Sequence, residues 1–285
     1  MGLAMDKQTR LDVFVADEFN ISREKSKSYI LANKVFVNGK VVAKPSFLLN
    51  ESDTATLLRA DTDFVGRGGQ KLYKAIEYFD INVKGMAALD IGASTGGFTD
   101  CMLYFGVNKI YAVDVGSNQL AEKLINDHRV INIENTHVLD LNNSIITDMV
   151  DLITIDVSFI SVTKIISHSL NFLKKDGFII CLIKPQFETG PKRVGKEARC
   201  SKKGIVRSRK AHKDIIRNLA DFFESIHLKI VNLTYSPIKG QKGNIEYPVL
   251  LCRMGLDVDF PGKGLGNKKN FCVEKVVEEA FSVLN

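Results

Sequence analysis

The stretch from Ala88 to Asp100 constrains the fold of this chain more than any other. An apolar run with strand character ends in an acid and a glycine, small residues follow, and apolar residues then recur at helical spacing from Phe98 to Phe105. A strand, a glycine-rich turn and a helix in this order open a nucleotide-binding α/β unit, because glycines let the backbone approach a ligand and the helix start presents free N–H groups. The spacing is Gly-x-x-x-Gly-Gly, which differs from the Gly-x-Gly-x-x-Gly of dinucleotide-binding proteins.

Strand and helix patterns alternate from this stretch onward. They predict strands over 87–90, 109–115, 152–157, 177–183, 228–233 and 246–253, and helices over 98–105, 119–126, 161–173 and 210–225. Nearly continuous apolar strands of this kind predict an α/β fold with a doubly wound, mostly parallel sheet. Ligands of such sheets bind beyond the carboxyl ends of the strands, where Asp90, Asp114, Asp156 and Lys184 lie.

Two of these acids indicate the ligand. Asp114 follows the glycine turn by roughly 20 residues and is placed to accept hydrogen bonds from a ribose diol, as in NAD enzymes and S-adenosylmethionine (AdoMet) methyltransferases. Asp90 precedes the turn and would repel a pyrophosphate, but it suits the cationic methionine end of AdoMet. We therefore expect AdoMet, with an NAD oxidoreductase as the less favoured alternative. The predicted AdoMet-binding residues are Asp90, Gly92, Ala93, Ser94, Gly96, Gly97, Phe98, Asp114, Val115 and Asp156.

Lys184 follows an interior strand, where a lysine is costly unless it is paired. Asp156 on the neighbouring strand is the natural partner, and together they are candidates for a general base or an orienting cation. Methyl transfer to a ribose 2′-hydroxyl needs an in-line oxygen and relief of its proton, which two lysines and two acids around one pocket would supply. Lys71, after a glycine turn, and Glu246 would complete the set. Taken alone, however, Lys71 fits a solvated lysine and Glu246 an exposed strand residue.

The total composition limits the remaining classes. Five cysteines are widely spread without a Cys-x-x-Cys pair, which argues against a disulfide framework or zinc ribbon and indicates a reducing cytoplasm. We expect no metal, because the histidines and cysteines show no ligand spacing, and no signal peptide, because Met1 to Arg10 lacks an apolar core segment. We expect no membrane partner, because the longest apolar stretch near a strand, Phe178 to Ile183, is far shorter than a bilayer span. The sequence thus predicts a cytoplasmic protein of two domains and leaves its oligomeric state open.

Residues 6–60 are predicted to form a small α+β domain. Ser22 marks the N-cap of a helix, and Asn38-Gly39 between short apolar runs is a strong hairpin signal. The region resembles the S4 RNA-binding domain, a resemblance that implies an RNA-facing surface on the second helix and the hairpin. It rests on the motifs Arg10-Leu-Asp12, Ser22-Arg23, Ile30, Val35-x-Val37-Asn38-Gly39 and Lys44-Pro45-Ser46.

Basic residues concentrate between Lys184 and Lys213, where eleven Lys and Arg face two Glu. Glycines within this stretch predict a loop, and its place after a catalytic strand favours a clamp on RNA phosphates over a solvated face. The predicted RNA-binding residues are Arg10, Arg23, Lys25, Lys27, Lys34, Arg67, Lys192, Arg193, Lys196, Arg199, Lys202, Lys203 and Arg207.

Motifs along almost the whole chain resemble the TlyA (haemolysin A) family, whose members join an S4 domain to an FtsJ-like 2′-O-ribose methyltransferase domain. The motifs are Gly66-Arg-Gly-Gly-x-Lys71-Leu72, Asp90-Ile-Gly-Ala-Ser-Thr-Gly-Gly-Phe-Thr99, Asp156-Val-Ser-Phe-Ile160, Lys184-Pro-Gln-Phe-Glu188, Gly204-Ile-Val-Arg207 and Ser236-Pro-x-x-Gly-x-x-Gly-Asn-x-Glu246. The resemblance implies an S4 domain over 6–60, a linker over 61–65 and an FtsJ-like methyltransferase domain over 66–285.

The same resemblance implies a catalytic set of Lys71, Asp156, Lys184 and Glu246. It also implies cytidine 2′-O-methylation of ribosomal RNA, on the small subunit and in some members also on the large, with ribosomal RNA or ribosomal subunits as partners. Gly66 stands where a serine is expected, which would loosen the turn that carries Lys71. Two alternatives stay open: a membrane-active haemolysin, after the family name, and a ribosome-assembly protein that binds RNA without catalysis.

Overall fold

The computed structural model describes residues 9–19, 21–32, 34–38, 40–50, 53–57, 63–188, 204–240, 242–255 and 271–284. The chain divides into two compact units, Met1–Asp63 and Phe64–Asn285. The division falls inside the predicted linker. Separate apolar cores support the two units.

The first unit packs short elements around Leu11, Val15 and Ile30. Ser22 Oγ accepts the Lys25 N–H at 3.2 Å, so the predicted N-cap is confirmed. Strands β3, β2 and β5 form an antiparallel sheet in that order, and β1 pairs with β4. The elements are β1 (Thr9–Arg10), α1 (Leu11–Glu18), α2 (Arg23–Leu31), β2 (Val35–Val37), β3 (Lys40–Val41), β4 (Leu48–Leu49) and β5 (Ala55–Leu57).

The second unit alternates strands and helices as the sequence predicts. Its elements are α3 (Gly68–Phe79), β6 (Ala87–Ile91), α4 (Gly97–Tyr104), β7 (Lys109–Val113), α5 (Glu122–Ile125), β8 (Val130–Ile133), β9 (Val150–Ile155), α6 (Ile166–Ser169), β10 (Leu173–Ile183), α7 (Pro185–Glu188), α8 (Arg209–Ser225), β11 (Leu228–Leu233), β12 (Tyr247–Arg253) and α9 (Val273–Leu284). Short 3₁₀ turns cover Val138–Asp140, Val162–Lys164 and Leu170–Phe172.

These strands form one seven-stranded sheet in the order β11-β12-β10-β9-β6-β7-β8. Neighbours from β10 to β8 pair in parallel, whereas β12 runs antiparallel to both β10 and β11. Because only β12 is reversed, its first residue lies at the edge where the parallel strands end. The predicted mostly parallel sheet is confirmed.

Helices cover both faces of this sheet, because successive strand residues point to opposite sides. Ala88 and Leu152 pack with α3 and α4 on one face. Leu89 and Ile153 pack with α8 and α9 on the other. The arrangement is therefore doubly wound. Among the described residues, no helix is both long and apolar enough to cross a lipid bilayer.

Two predicted helices differ from the structure, and one strand was not predicted. The helix expected over 119–126 shortens to Glu122–Ile125, because the backbone N–H groups of residues 118–120 bond to the Glu134 carboxylate instead. The helix expected over 161–173 breaks into two 3₁₀ turns around Ile166–Ser169, followed at once by β10. Strand β8 was not predicted, because it is an edge strand whose middle residues are exposed and whose apolar alternation is therefore weak.

Candidate active site

A cavity of about 530 Å³ opens at the carboxyl edge of the parallel strands, and we call it the catalytic cavity. Its walls come from the turn before α3, the glycine turn after β6, the ends of β9 and β10, and the loop before β12. The lining residues are Gly66, Arg67, Gly68, Lys71, Gly92, Ala93, Ser94, Thr95, Gly97, Phe98, Asp156, Ser158, Phe159, Lys184, Gln186, Phe187, Gly204, Ile238, Lys239, Gly240, Lys242, Asn244 and Glu246. All four predicted catalytic residues are among them.

Lys184 and Asp156 form the ion pair that the strand order predicts. Lys184 Nζ lies 2.6 Å from Asp156 Oδ1 and donates a hydrogen bond to Ser158 Oγ at 3.1 Å. Asp156 Oδ1 itself is buried and lies outside hydrogen-bond geometry with any described donor. Asp156 Oδ1 is thus buried against the Lys184 ammonium, and the pair holds that ammonium beside the cavity.

Lys71 and Glu246 form a second ion pair across the same cavity. Lys71 Nζ donates to Glu246 Oε2 at 2.6 Å, and Gln186 Nε2 donates to Glu246 Oε1 at 3.4 Å. Both members are buried, so the readings of Lys71 as a solvated lysine and of Glu246 as an exposed strand residue are wrong. Glu246 reaches the site because it directly precedes the reversed strand β12.

Close backbone packing explains the glycines near Lys71. A Cβ on Gly97 would lie 2.9 Å from the Gly69 nitrogen and 3.1 Å from the Gly66 oxygen, so the two turns need glycine to touch. A Cβ on Gly66 would lie 2.6 Å from Thr95 Oγ1. The turn that carries Lys71 is therefore packed against Thr95 at Gly66, and the expectation that Gly66 loosens it stays a prediction.

Asp90 does not reach the catalytic cavity, contrary to its predicted contact with AdoMet. It is fully buried, and its two oxygens accept hydrogen bonds from Thr99 Oγ1 at 2.6 Å and Thr154 Oγ1 at 2.8 Å. Burial raises the pKa of this carboxyl to about 6, although the two hydrogen bonds act to lower it. Asp90 thus joins α4 to β9 beneath the glycine turn and acts on the site through structure.

Three other predicted AdoMet-binding residues also lie off the cavity wall. Gly96 has φ +92° and packs against Leu124, because its missing side chain makes room for that leucine. Asp114 accepts the Ser94 N–H at 2.8 Å and the Gly116 N–H at 2.7 Å, so it braces the turn next to a lining residue. Val115 is exposed. The remaining predicted residues, Gly92, Ala93, Ser94, Gly97, Phe98 and Asp156, do line the cavity.

An aromatic pair at the cavity was missed by the sequence analysis. Phe159 is 83% exposed, its φ of +66° lies in the region that bulky residues avoid, and its ring centroid lies 5.2 Å from that of Phe187. An exposed aromatic held in strained backbone favours a binding role. Phe159 and Phe187 both lie inside motifs that carry the family resemblance, but neither motif shows that the two rings meet at the cavity.

The predicted RNA-binding residues fall into three groups: described residues whose partners the structure shows, described residues characterised only by their exposure, and residues outside the described part of the chain. In the first unit, Arg10 and Arg23 both pair with the buried carboxylate of Asp12, at 2.9 and 3.1 Å, and hydrogen bonds from these arginines lower its pKa to about 2. Lys25 and Lys34 lie over the Tyr29 ring. The other three described residues of the set are Lys27, partly exposed, and Arg67 and Arg207, both exposed.

The third group lies outside the described residues. It comprises the basic loop residues Lys192, Arg193, Lys196, Arg199, Lys202 and Lys203.

This architecture, a doubly wound sheet with two lysine–carboxylate pairs at its carboxyl edge, defines an α/β enzyme of the methyltransferase class. The model of the FtsJ-like methyltransferase family matches residues 64–253, and the S4 domain model matches residues 9–54. The chain belongs to the FtsJ-like methyltransferase family, in the group with an N-terminal S4 domain whose members carry the names TlyA and Hemolysin A. This membership removes the NAD oxidoreductase alternative.

Three relatives show how far the similarity extends. Hemolysin A of Brachyspira hyodysenteriae is 43% identical over 84% of this chain and 97% of its own length. The 16S/23S rRNA (cytidine-2′-O)-methyltransferase TlyA of Mycobacterium tuberculosis is 35% identical over 86% of this chain and 89% of its own. A solved structure from Streptococcus thermophilus, described under the hemolysin name, is 33% identical with a TM-score of 0.68 and covers 98% of both chains.

Proposed function

We propose that this chain transfers the methyl group of AdoMet to the 2′-hydroxyl of a cytidine in ribosomal RNA of the small subunit, with large-subunit RNA as a second substrate. The observation that carries the proposal is the meeting of two buried lysine–carboxylate pairs in one cavity, at 2.6 Å each. The name of the Mycobacterium tuberculosis relative, a (cytidine-2′-O)-methyltransferase, supports the choice of nucleotide. An rRNA substrate would place this activity in the cytoplasm.

The residues of the glycine turn fit AdoMet. Gly92, Ala93 and Ser94 place main-chain atoms in the cavity wall. A Cβ on Gly92 would lie 2.8 Å from the main-chain oxygen of Asp156, so only glycine lets the turn lie this close to the end of β9. Asp114 lies immediately beyond Ser94. When bound there, AdoMet supplies an electrophilic methyl group that needs only an aligned nucleophile.

The four charged residues supply what the hydroxyl lacks. A ribose hydroxyl is a weak acid, so its oxygen needs cationic donors as its proton leaves. We assign this orienting role to Lys71 and Lys184, which Glu246 and Asp156 hold in place. We assign the acceptance of the single hydroxyl proton to one of the two carboxylates, either directly or by a relay in which its lysine gives a proton to the carboxylate and takes up the hydroxyl proton.

The aromatic pair provides a place for the target base. A ribose inside a folded RNA reaches a recessed cavity only if its nucleotide leaves the stack. Phe159 and Phe187 present ring surface at the cavity, on which an extruded base can stack. The S4 domain and the basic residues of the sequence would hold the surrounding phosphates.

The test is methyl incorporation into purified ribosomal subunits by the full chain with radiolabelled AdoMet. We expect incorporation that Lys71→Ala and Lys184→Ala each abolish while AdoMet binding, measured by calorimetry, persists. Lys174→Ala is the matched control, because Lys174 Nζ pairs with Asp151 Oδ1 at 2.7 Å outside the cavity. Mapping of ribose methylation in the product RNA would identify the nucleotide.

Normal AdoMet binding without incorporation into either subunit would refute the catalytic proposal and favour a ribosome-assembly protein. Incorporation that survives both lysine substitutions would refute the assigned roles alone.

A further inference from the structure

A second cleft, of about 590 Å³, lies beside the catalytic cavity and plays no part in the chemistry described so far. Its apolar surface includes Val206, Ile245 and Phe281, and its cations are Arg207, Arg209 and Lys239. Lys239 lines both the cleft and the catalytic cavity. The two spaces are therefore neighbours that share a boundary.

That boundary is built from residues 204–207, 239–240 and 242–246. Gly204, Gly240, Lys242, Asn244 and Glu246 line the catalytic cavity, whereas Ile205, Val206, Arg207, Gly243 and Ile245 line the second cleft. Asn244 joins the two segments, since its side chain accepts the Val206 N–H and donates to the Gly204 oxygen, each at 3.0 Å. Glu246 and the residues that line the second cleft thus belong to the same wall between the two spaces.

A buried histidine holds the same wall in place through two hydrogen bonds. His212 Nε2 lies 2.9 Å from the Val206 oxygen, and Nδ1 lies 2.7 Å from the Tyr247 hydroxyl. A carbonyl oxygen only accepts, so Nε2 carries the proton and Tyr247 donates to Nδ1. Burial lowers the pKa of His212, which keeps the ring neutral and these bonds in place at neutral pH. The cleft is accordingly formed before any ligand arrives.

The cleft presents a planar cation above an apolar surface. The Arg209 guanidinium lies over the Phe281 ring, 5.3 Å from its centroid, and Glu278 holds it at 3.4 Å. The Arg209 side chain is 54% exposed. Nucleobases stack on guanidinium planes as they do on aromatic rings, and Arg207 beside it suits a phosphate.

We propose that the second cleft binds a nucleotide that neighbours the target in the same RNA strand, with its base on the Arg209–Phe281 stack and its phosphate at Arg207. The inference rests on the proposed function, because it places the substrate strand across the wall that carries Glu246. It adds a contact for a base that is not methylated.

The test separates stacking from charge. Arg209→Lys keeps the positive charge but removes the planar group, and Arg209→Gln removes both. Arg217→Lys and Arg217→Gln are matched controls, because Arg217 lies on the same helix, α8, with the same 54% side-chain exposure. The readout is the equilibrium affinity of the full chain for the ribosomal subunit that it methylates, or for both subunits if it methylates neither, at one fixed salt concentration.

We expect both Arg209 variants to weaken binding at least about fivefold, the lower bound for loss of one stacked base, and both Arg217 variants to change it much less. An Arg209→Lys protein that binds like wild type overturns the inference. Phe281→Leu, which keeps the surface apolar, should weaken binding in the same direction.

Two further measurements keep the outcomes distinct. Methyl incorporation at saturating RNA reports the proposed function, so a wild type that binds RNA without methylating it removes that function while the Arg209 comparison still decides the cleft. Titration with free cytidine and adenosine monophosphates tests the other source of a nucleotide. Binding of these that depends on Arg209, with RNA affinity unchanged, would overturn the assignment to RNA.

Discussion

Lys71 Nζ and Glu246 Oε2 lie 2.6 Å apart, although the two residues are 175 positions apart in the chain. Each is held for a local reason. Lys71 belongs to the first turn of α3, which touches the glycine turn, and Glu246 precedes the one reversed strand of the sheet. We expect the two to act as a unit.

A double-substitution cycle tests that unit. Glu246→Gln and Lys71→Met should each lower the methylation rate at saturating substrates by about 10²-fold or more, the range for loss of a positioned proton-transfer group. The double variant should lose little beyond the worse single variant, because residues that act together are not additive. If the fold-loss of the double variant equals the product of the two single losses, the two residues have independent roles.

Gly240→Ala is expected to lower methylation activity while the protein stays folded. A Cβ at this position would lie 2.3 Å from Glu246 Oε1, so the carboxylate must swing away and leave Lys71. The clash involves the end of a flexible side chain, so the midpoint of urea unfolding should move little while methylation falls at least about tenfold. Gly85→Ala is the control: Gly85 has φ +80° and only Asn108 nearby, so it should lose stability and keep the specific activity of the folded protein.

Phe159→Ala should weaken RNA binding without weakening AdoMet binding. Loss of one stacked base costs about 1–3 kcal/mol, which raises KM for RNA at least about fivefold, and Phe159→Tyr should restore it because the ring is kept. Phe159→Ala also removes a bulky side chain from a positive φ, so its stability should not fall. An unchanged KM in the alanine variant would exclude stacking on this ring.

Asp90→Asn should change the pH dependence of stability. The folded pKa of about 6 exceeds the ordinary 3.8, so the unfolded chain releases this proton first and the free energy of unfolding falls as pH rises from about 4 to 6. Above that window the buried charge costs about 3 kcal/mol. Asparagine carries no charge and can still bond to Thr99 and Thr154.

The variant should therefore gain on the wild type as pH increases from 4 to 7 in urea unfolding experiments. A difference between the two proteins that is independent of pH would contradict a raised pKa.

Much of the fold was predictable because local signals and global packing agree. Apolar strands ending in Asp156 and Lys184 predicted both the sheet and the ion pair, since parallel strand ends meet at one edge. The pairing of Lys71 with Glu246 was not derivable from residue patterns, because neither sequence segment shows its burial. The family resemblance implied that both residues belong to one catalytic set, but not that they pair. The reversed strand β12 explains the pairing.

The remaining errors have local causes. Asp90 was expected to contact AdoMet because it precedes the glycine turn, but Thr99 and Thr154 occupy both of its oxygens. The helix over 161–173 fails because Ser161 and Ser169 bond to the main chain and support short turns instead. Strained backbone at Phe159 is invisible in a sequence.

The position of β12 also bears on how the protein is made. This strand is the last of the sheet to be synthesised, yet it lies between β10 and β11. While the chain is still emerging, β11 has no place beside β10, and the cavity has only one of its two ion pairs. A product that terminates before residue 247 would keep the glycine turn and Lys184, but its sheet would end at β10. The enzyme therefore becomes competent late in its own translation, after the strand that follows Glu246 has been inserted.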